Sequence, residues 1–86
     1  MGRIWTHGTW VVKPGHEDTF IEAWLTLARE GAEELGEIEP PTLLRDRERP
    51  NAFVSFGPWS NLEEIEKFRK SEAFGRAMAA MRGVRQ

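Results

Sequence analysis

Between residues 4 and 12 the chain contains no Asp, Glu or Lys and alternates as an extended segment does. Ile4, Thr6, Gly8, Trp10 and Val12 share one face, and Trp5, His7, Thr9 and Val11 the other. Neither face is plainly polar, which predicts a first strand covered on both sides. Lys13-Pro14-Gly15 ends it. The apolar period then changes: Phe20, Ile21, Trp24, Leu27, Ala28 and Leu35 follow helical spacing and predict an amphipathic helix over 16–35. Glu17 and Asp18 complement the positive end of its dipole, and Gly36 suits a left-handed C-cap. Gly31 should cost about 1 kcal/mol against Ala and mark an early end to the helix.

Pro40-Pro41 breaks the helix and starts a second strand over 42–47, with Leu43, Arg45 and Arg47 opposite Thr42, Leu44 and Asp46. Glu48-Arg49-Pro50-Asn51 has turn chemistry and leads to a third strand over 52–57, where Phe53 and Ser55 oppose Ala52, Val54 and Phe56. Ser60-Asn61-Leu62-Glu63 reads as a capping box opening a short helix. Ser71 is placed to cap a last helix carrying Phe74, Ala77, Met78 and Met81, which Gly83 ends. No internal repeat or linker is evident. The order β-α-β-β-α(α) predicts an α+β fold, most of a ferredoxin-like split β-α-β sandwich. Such a sandwich closes with a fourth strand, and residues 83–86 are too few to supply it. The fourth strand is therefore expected to be missing or truncated, with a sheet edge left open.

Eighty-six residues form one domain, 1–86, with a small core. There is no Cys, and two His without clustered carboxylates make a structural metal site improbable. Oligomerisation is the remaining remedy for a marginal core, and an open edge invites it, so a homodimer is expected. A net charge of −2 gives no electrostatic reason to bind nucleic acid. No apolar run approaches the roughly 20 residues of a membrane span, and the N-terminus lacks an apolar signal core. These features, with the absence of Cys, predict a cytoplasmic protein that does not engage a membrane.

The segments KPGHEDTFIEAW and LLRDRERPNAFVSFGPWSNLEEIEKFRKSEAF resemble the antibiotic biosynthesis monooxygenase family of dimeric α/β barrels. There a strand meets a Pro-Gly turn and an acidic helix, and a strand ending in Trp introduces a helix that closes on Ser-x-x-Phe. The likeness spans roughly residues 11–81. It implies a cofactor-independent oxygenase, with no cofactor or metal, in which a phenolic or hydroquinone substrate supplies the electrons for O2. Three departures stand out. Phe68 occupies the position of a His found in many members. The last helix has none of the His by which haem-degrading relatives hold iron. Gly8 stands at their strand-one Asn. Haem is accordingly not expected.

Oxygenation without a cofactor needs a base for the phenolic proton, donors for the developing oxyanion, and an apolar cavity. His7 is the imidazole on a strand and the expected base or donor. Trp59, at the strand–helix junction, is expected to wall the site and offer its indole N–H to a substrate oxygen. Trp5, Phe20, Trp24, Phe68 and Met78 are the expected pocket residues. The run 45–49 reads as a solvated, self-compensating hairpin. A non-catalytic domain that binds a small aromatic ligand, or serves in assembly, fits the same pattern. An RNA-binding reading of the same element order fails, because residues 52–57 lack basic side chains.

Overall fold

A computed structural model describes residues 3–36 and 39–86. The elements are β1 (Ile4–Val11), α1 (Glu17–Leu35), β2 (Thr42–Arg45), β3 (Ala52–Trp59), α2 (Leu62–Lys70) and α3 (Glu72–Arg82). β3 is the central strand and pairs antiparallel with β1 and β2, giving the order β1-β3-β2. The three helices lie on one face of this sheet, in a ferredoxin-like α+β arrangement. The face is set by alternation. Ile4, Thr6, Gly8 and Trp10 pair with Trp59, Gly57, Ser55 and Phe53 towards the helices, while Trp5, His7, Thr9 and Val11 pair with Pro58, Phe56, Val54 and Ala52 on the back.

The core gathers at one end of the helix-side face. Phe20 is fully buried, with ring centroids 5.4 Å from Trp10 and 4.9 Å from Phe53. Trp24 and Leu27 continue the α1 stripe, and α3 adds Ala73, Ala77 and Met81. Beside them Arg76 reaches Glu30 at 3.2 Å and Glu34 at 3.7 Å, while Glu34 also accepts from the Ala73 amide at 3.1 Å. Glu34 thus links α1 to α3.

Turn and cap chemistry explains most boundaries. Pro14 and Gly15 fill the central positions of a Lys13–His16 turn, Gly15 at φ +92°, closed by the His16 amide on Lys13 O at 3.0 Å. Gly36, at φ +82°, terminates α1 and gives its amide to Ala32 O. Gly31 does not end the helix early. β2 stops at Arg45, sooner than expected, because Asp46 Oδ1 turns back to accept the amides of Glu48 and Arg49. β3 runs on to Trp59, and Pro58 is tolerated because β2 pairs only as far as Phe56, leaving β3 an edge on that side. The α2 cap lies one residue beyond the expected box: Asn61 Oδ1 accepts the Glu64 amide at 2.9 Å, and Glu64 Oε1 accepts the Ser60 amide. Ser71 caps α3 through the Phe74 amide.

The chain's last residues also take part in the sheet. Arg85 bridges Val12, the Lys13 amide donates to Val84 O at 2.7 Å, and the Gln86 amide donates to Val11 O at 2.7 Å. Residues 84–86 therefore lie antiparallel along the end of β1, opposite its β3 side, as a bridge rather than a full strand. Among the described residues, the rest of that edge of β1 has no strand partner.

Candidate functional site

A cavity of about 440 Å³ lies between the helix-side face of β1–β3 and the helices, within the range of small-molecule sites. Its floor is made by Thr6, Gly8, Ser55 and Gly57. The two glycines contribute no side chain where a core residue would otherwise stand, and this leaves the room. Pro41 stands over Gly57, where a Cβ would meet Pro41 Cβ at 3.2 Å.

The walls are aromatic and aliphatic. Trp59, the last residue of β3, packs on Phe68 of α2 with ring centroids 5.2 Å apart, and Phe68 meets Phe74 of α3 edge-on at 5.3 Å. Trp24, Leu27 and Ala28 come from α1, Ile65 from α2, and Met78 from α3. Flexible Met at such a surface adapts to ligands of different outline.

Polar groups are few, and each floor hydroxyl accepts from an indole. Trp59 Nε1–H donates to Thr6 Oγ1 at 2.8 Å, and Trp10 Nε1–H donates to Ser55 Oγ at 3.0 Å. The ionisable residues bordering the cavity are His7, Glu39 and Arg69. Glu39 and Arg69 are exposed, and Glu39 forms an ion pair with Arg3. Among the described residues, no three His, Cys, Asp or Glu side chains gather as a metal site would require. No described helix is long and apolar enough to cross a membrane.

The structure brings Trp59, Trp24, Phe68 and Met78 together around the cavity, with His7 at its border, and leaves Trp5 and Phe20 outside it. His7 pairs with Phe56, so by strand alternation its exposed side chain stands on the back face. His7 is nonetheless among the residues bordering the cavity, from a strand position whose side chain alternates to the back of the sheet. Trp5 follows the same alternation, lies 57% exposed with its ring 6.2 Å from Phe56, and is not a pocket residue. Phe20 is packed solid in the core between Trp10 and Phe53. The Trp59 indole N–H is committed to Thr6 instead of being free for a substrate. Arg45 belongs to the hairpin: Nε donates to Pro50 O, and its guanidinium lies 5.5 Å from the Phe53 ring centre.

Sequence reasoning passed over Thr6, Ser55 and the two glycines. The signal was there in a short repeat. Thr6-His7-Gly8-Thr9-Trp10 and Ser55-Phe56-Gly57-Pro58-Trp59 share the pattern hydroxyl-x-Gly-x-Trp, and the antiparallel register lays one against the other.

Fold and site together define a ferredoxin-like α+β domain with an apolar, ligand-sized cavity under its helices. The family model described as antibiotic biosynthesis monooxygenase matches residues 4–80, and the chain belongs to that family. Solved structures named as candidate antibiotic biosynthesis monooxygenases share the fold. One from Caulobacter crescentus aligns with a TM-score of 0.87 at 19% identity, covering 98% of this chain and 79% of that one. One from Chloroflexus aurantiacus gives 0.80 at 18%, covering 98% and 82%. One from Bordetella bronchiseptica gives 0.79 at 21%, covering 99% and 87%. No curated protein matches the chain. Identities this low carry the fold and leave the activity to the site.

Proposed function

We propose that the protein holds a small, flat aromatic molecule in this cavity and oxygenates an electron-rich phenol or quinol with O2, without a bound cofactor. The observation that carries the reading is the apolar cavity walled by Trp24, Trp59, Phe68 and Met78. Membership of a family named for monooxygenases supports the reaction class. The electrons balance: a hydroquinone and O2 give a hydroxyquinone and water, the ring supplying what O2 takes up. Aromatic walls hold the ring and keep bulk water from the developing charge. The substrate enters as its anion or sheds its proton to water at the mouth of the cavity. Arg69 borders the cavity as a cation favouring that anion. The working unit is a homodimer joined through the back face, where Trp5, Leu44 and Val54 are uncovered. An oxygen electrode tests the reaction. Chelator-treated protein with a 1,4-dihydroxynaphthalene should consume O2 faster than the autoxidation of the same solution with heat-denatured protein.

A second reading, a binding domain without turnover, draws on one specific observation: the ionisable residues lining the cavity, His7, Glu39 and Arg69, are all exposed, and His7 sits at a strand position that alternates to the back face. Saturable binding of the naphthol with O2 uptake at the autoxidation rate would select it.

A further inference from the structure

The two copies of the hydroxyl-x-Gly-x-Trp pattern meet about a local two-fold axis. In the β1–β3 register Thr6 faces Gly57 and Gly8 faces Ser55. A half-turn about an axis normal to the sheet, between these two rows, exchanges Thr6 with Ser55, Gly8 with Gly57, and Trp10 with Trp59. The hydrogen bonds obey the same operation, Trp59 Nε1–H on Thr6 Oγ1 at 2.8 Å and Trp10 Nε1–H on Ser55 Oγ at 3.0 Å. Each hydroxyl has one lone pair filled by an indole, and among the described residues neither gives its own proton to a protein acceptor. A hydroxyl that accepts from one side becomes a better donor on the other. Both border the cavity. Gly8 is what keeps this floor flat, since a Cβ there would come 3.3 Å from Trp10 Nε1 and 3.5 Å from Ser55 Oγ.

We infer that Thr6 and Ser55 are twin ligand-orienting donors, and that the cavity selects a flat ring carrying acceptor oxygens at opposite ends, a 1,4-dioxygenated ring such as a para-quinone. Diagonal neighbours on paired strands stand roughly 7 Å apart, so the two O–H groups address two ends of one ring instead of two adjacent atoms. Trp59 and Trp10 act as positioning residues, fixing each hydroxyl's rotor so that its proton points into the cavity. The inference rests on the proposed reading of the cavity as an aromatic-ligand site and adds to it the group that chooses among aromatics.

Calorimetric titration with naphthalene, 1,2-naphthoquinone and 1,4-naphthoquinone tests it. The 1,4-isomer should bind at least tenfold tighter than the other two. Thr6→Val and Ser55→Ala should each weaken it about fivefold, the worth of one neutral hydrogen bond, while Thr6→Ser, which keeps the donor, should not. In 15N-labelled protein the indole N–H signals of Trp10 and Trp59, both of which border the cavity, should move together and further with 1,4-naphthoquinone than with naphthalene. A merely structural pair of hydroxyls would give the same shifts with either ring. Equal binding of naphthalene and 1,4-naphthoquinone, or equal binding of the two quinones, overturns the donor pair and leaves the cavity standing as an aromatic site. If none of the three binds, the aromatic-site reading falls with it.

Discussion

Phe68 rests against the bare Cα of Gly31: a methyl group at position 31 would lie 3.0 Å from the ring's Cε1. The glycine costs α1 about 1 kcal/mol of helix propensity, and in return lets α2 bring an aromatic wall close to α1. In Gly31→Ala the propensity gain and the crowding, about 1–3 kcal/mol for overpacking, oppose each other. The ring has open cavity beside it and can give way in that direction. Stability should therefore change by less than about 1 kcal/mol, while affinity for a bicyclic naphthol falls several-fold as Phe68 moves into the space it would occupy. Thermal denaturation and calorimetry on the same variant separate the two effects.

Phe20 and Trp24 lie one helical turn apart on α1 and serve different ends. Phe20 touches only core, while Trp24 is buried in the core and also borders the cavity. Phe20→Leu should lower stability by about 1–3 kcal/mol, the range of reshaped core sites, and leave naphthol affinity within about twofold. Trp24→Leu should lower both. Equal losses of affinity in the two variants would show that Phe20 shapes the site after all.

Asp46 makes the hairpin turn sensitive to acid. Its carboxylate accepts from the amide of Glu48 at 2.8 Å and that of Arg49 at 3.1 Å, and with the nearby Arg49 charge these hold its pKa below the ordinary value. A carboxyl whose folded pKa is depressed contributes its full stabilisation above the ordinary range near about pH 4. It loses that contribution as pH falls through the lowered folded value. The amide resonances of Glu48 and Arg49 should therefore titrate with a midpoint below that of Asp in an unstructured peptide, and Asp46→Asn should abolish the transition. A midpoint at or above the peptide value would mean that the turn does not favour the anion.

The element order was legible because period changes carry their own punctuation: Pro14-Gly15, Gly36 and Ser71 all act in the structure as turns, stops or caps. Alternation alone also placed His7 and Trp5 on one face and Thr6 and Gly8 on the other. What it did not reveal was which face the helices would cover, since neither face of β1 is plainly polar, and so His7 could be assigned to the site when the register turns its side chain to the back. Boundaries slipped where two residues compete for one role, as Ser60 and Asn61 do at the α2 cap. Thr6 and Ser55 escaped notice for a different reason. Single hydroxyls in strands are commonplace, and their meaning appears only when the register sets the two copies of one short pattern about an axis.

That same alternation leaves a hydrophobic back face. Trp5, Leu44 and Val54 are 57, 51 and 38% exposed there, and Phe56 lies among them, 6.2 Å from Trp5. A small domain does not ordinarily present so many large side chains on one surface unless something covers them. A second sheet laid back to back would bury the patch without disturbing the cavity on the opposite side. Leu44→Lys places a charge at the centre of such an interface, where burial without a partner is strongly unfavourable. In a single chain Leu44 is exposed, so the charge would sit in water. The variant should therefore elute as a monomer in sedimentation or light-scattering runs where the parent is a dimer, with its helical signal preserved at low temperature. If parent and variant sediment alike, the back face is not the interface, and the uncovered edge of β1 becomes the surface to mutate next.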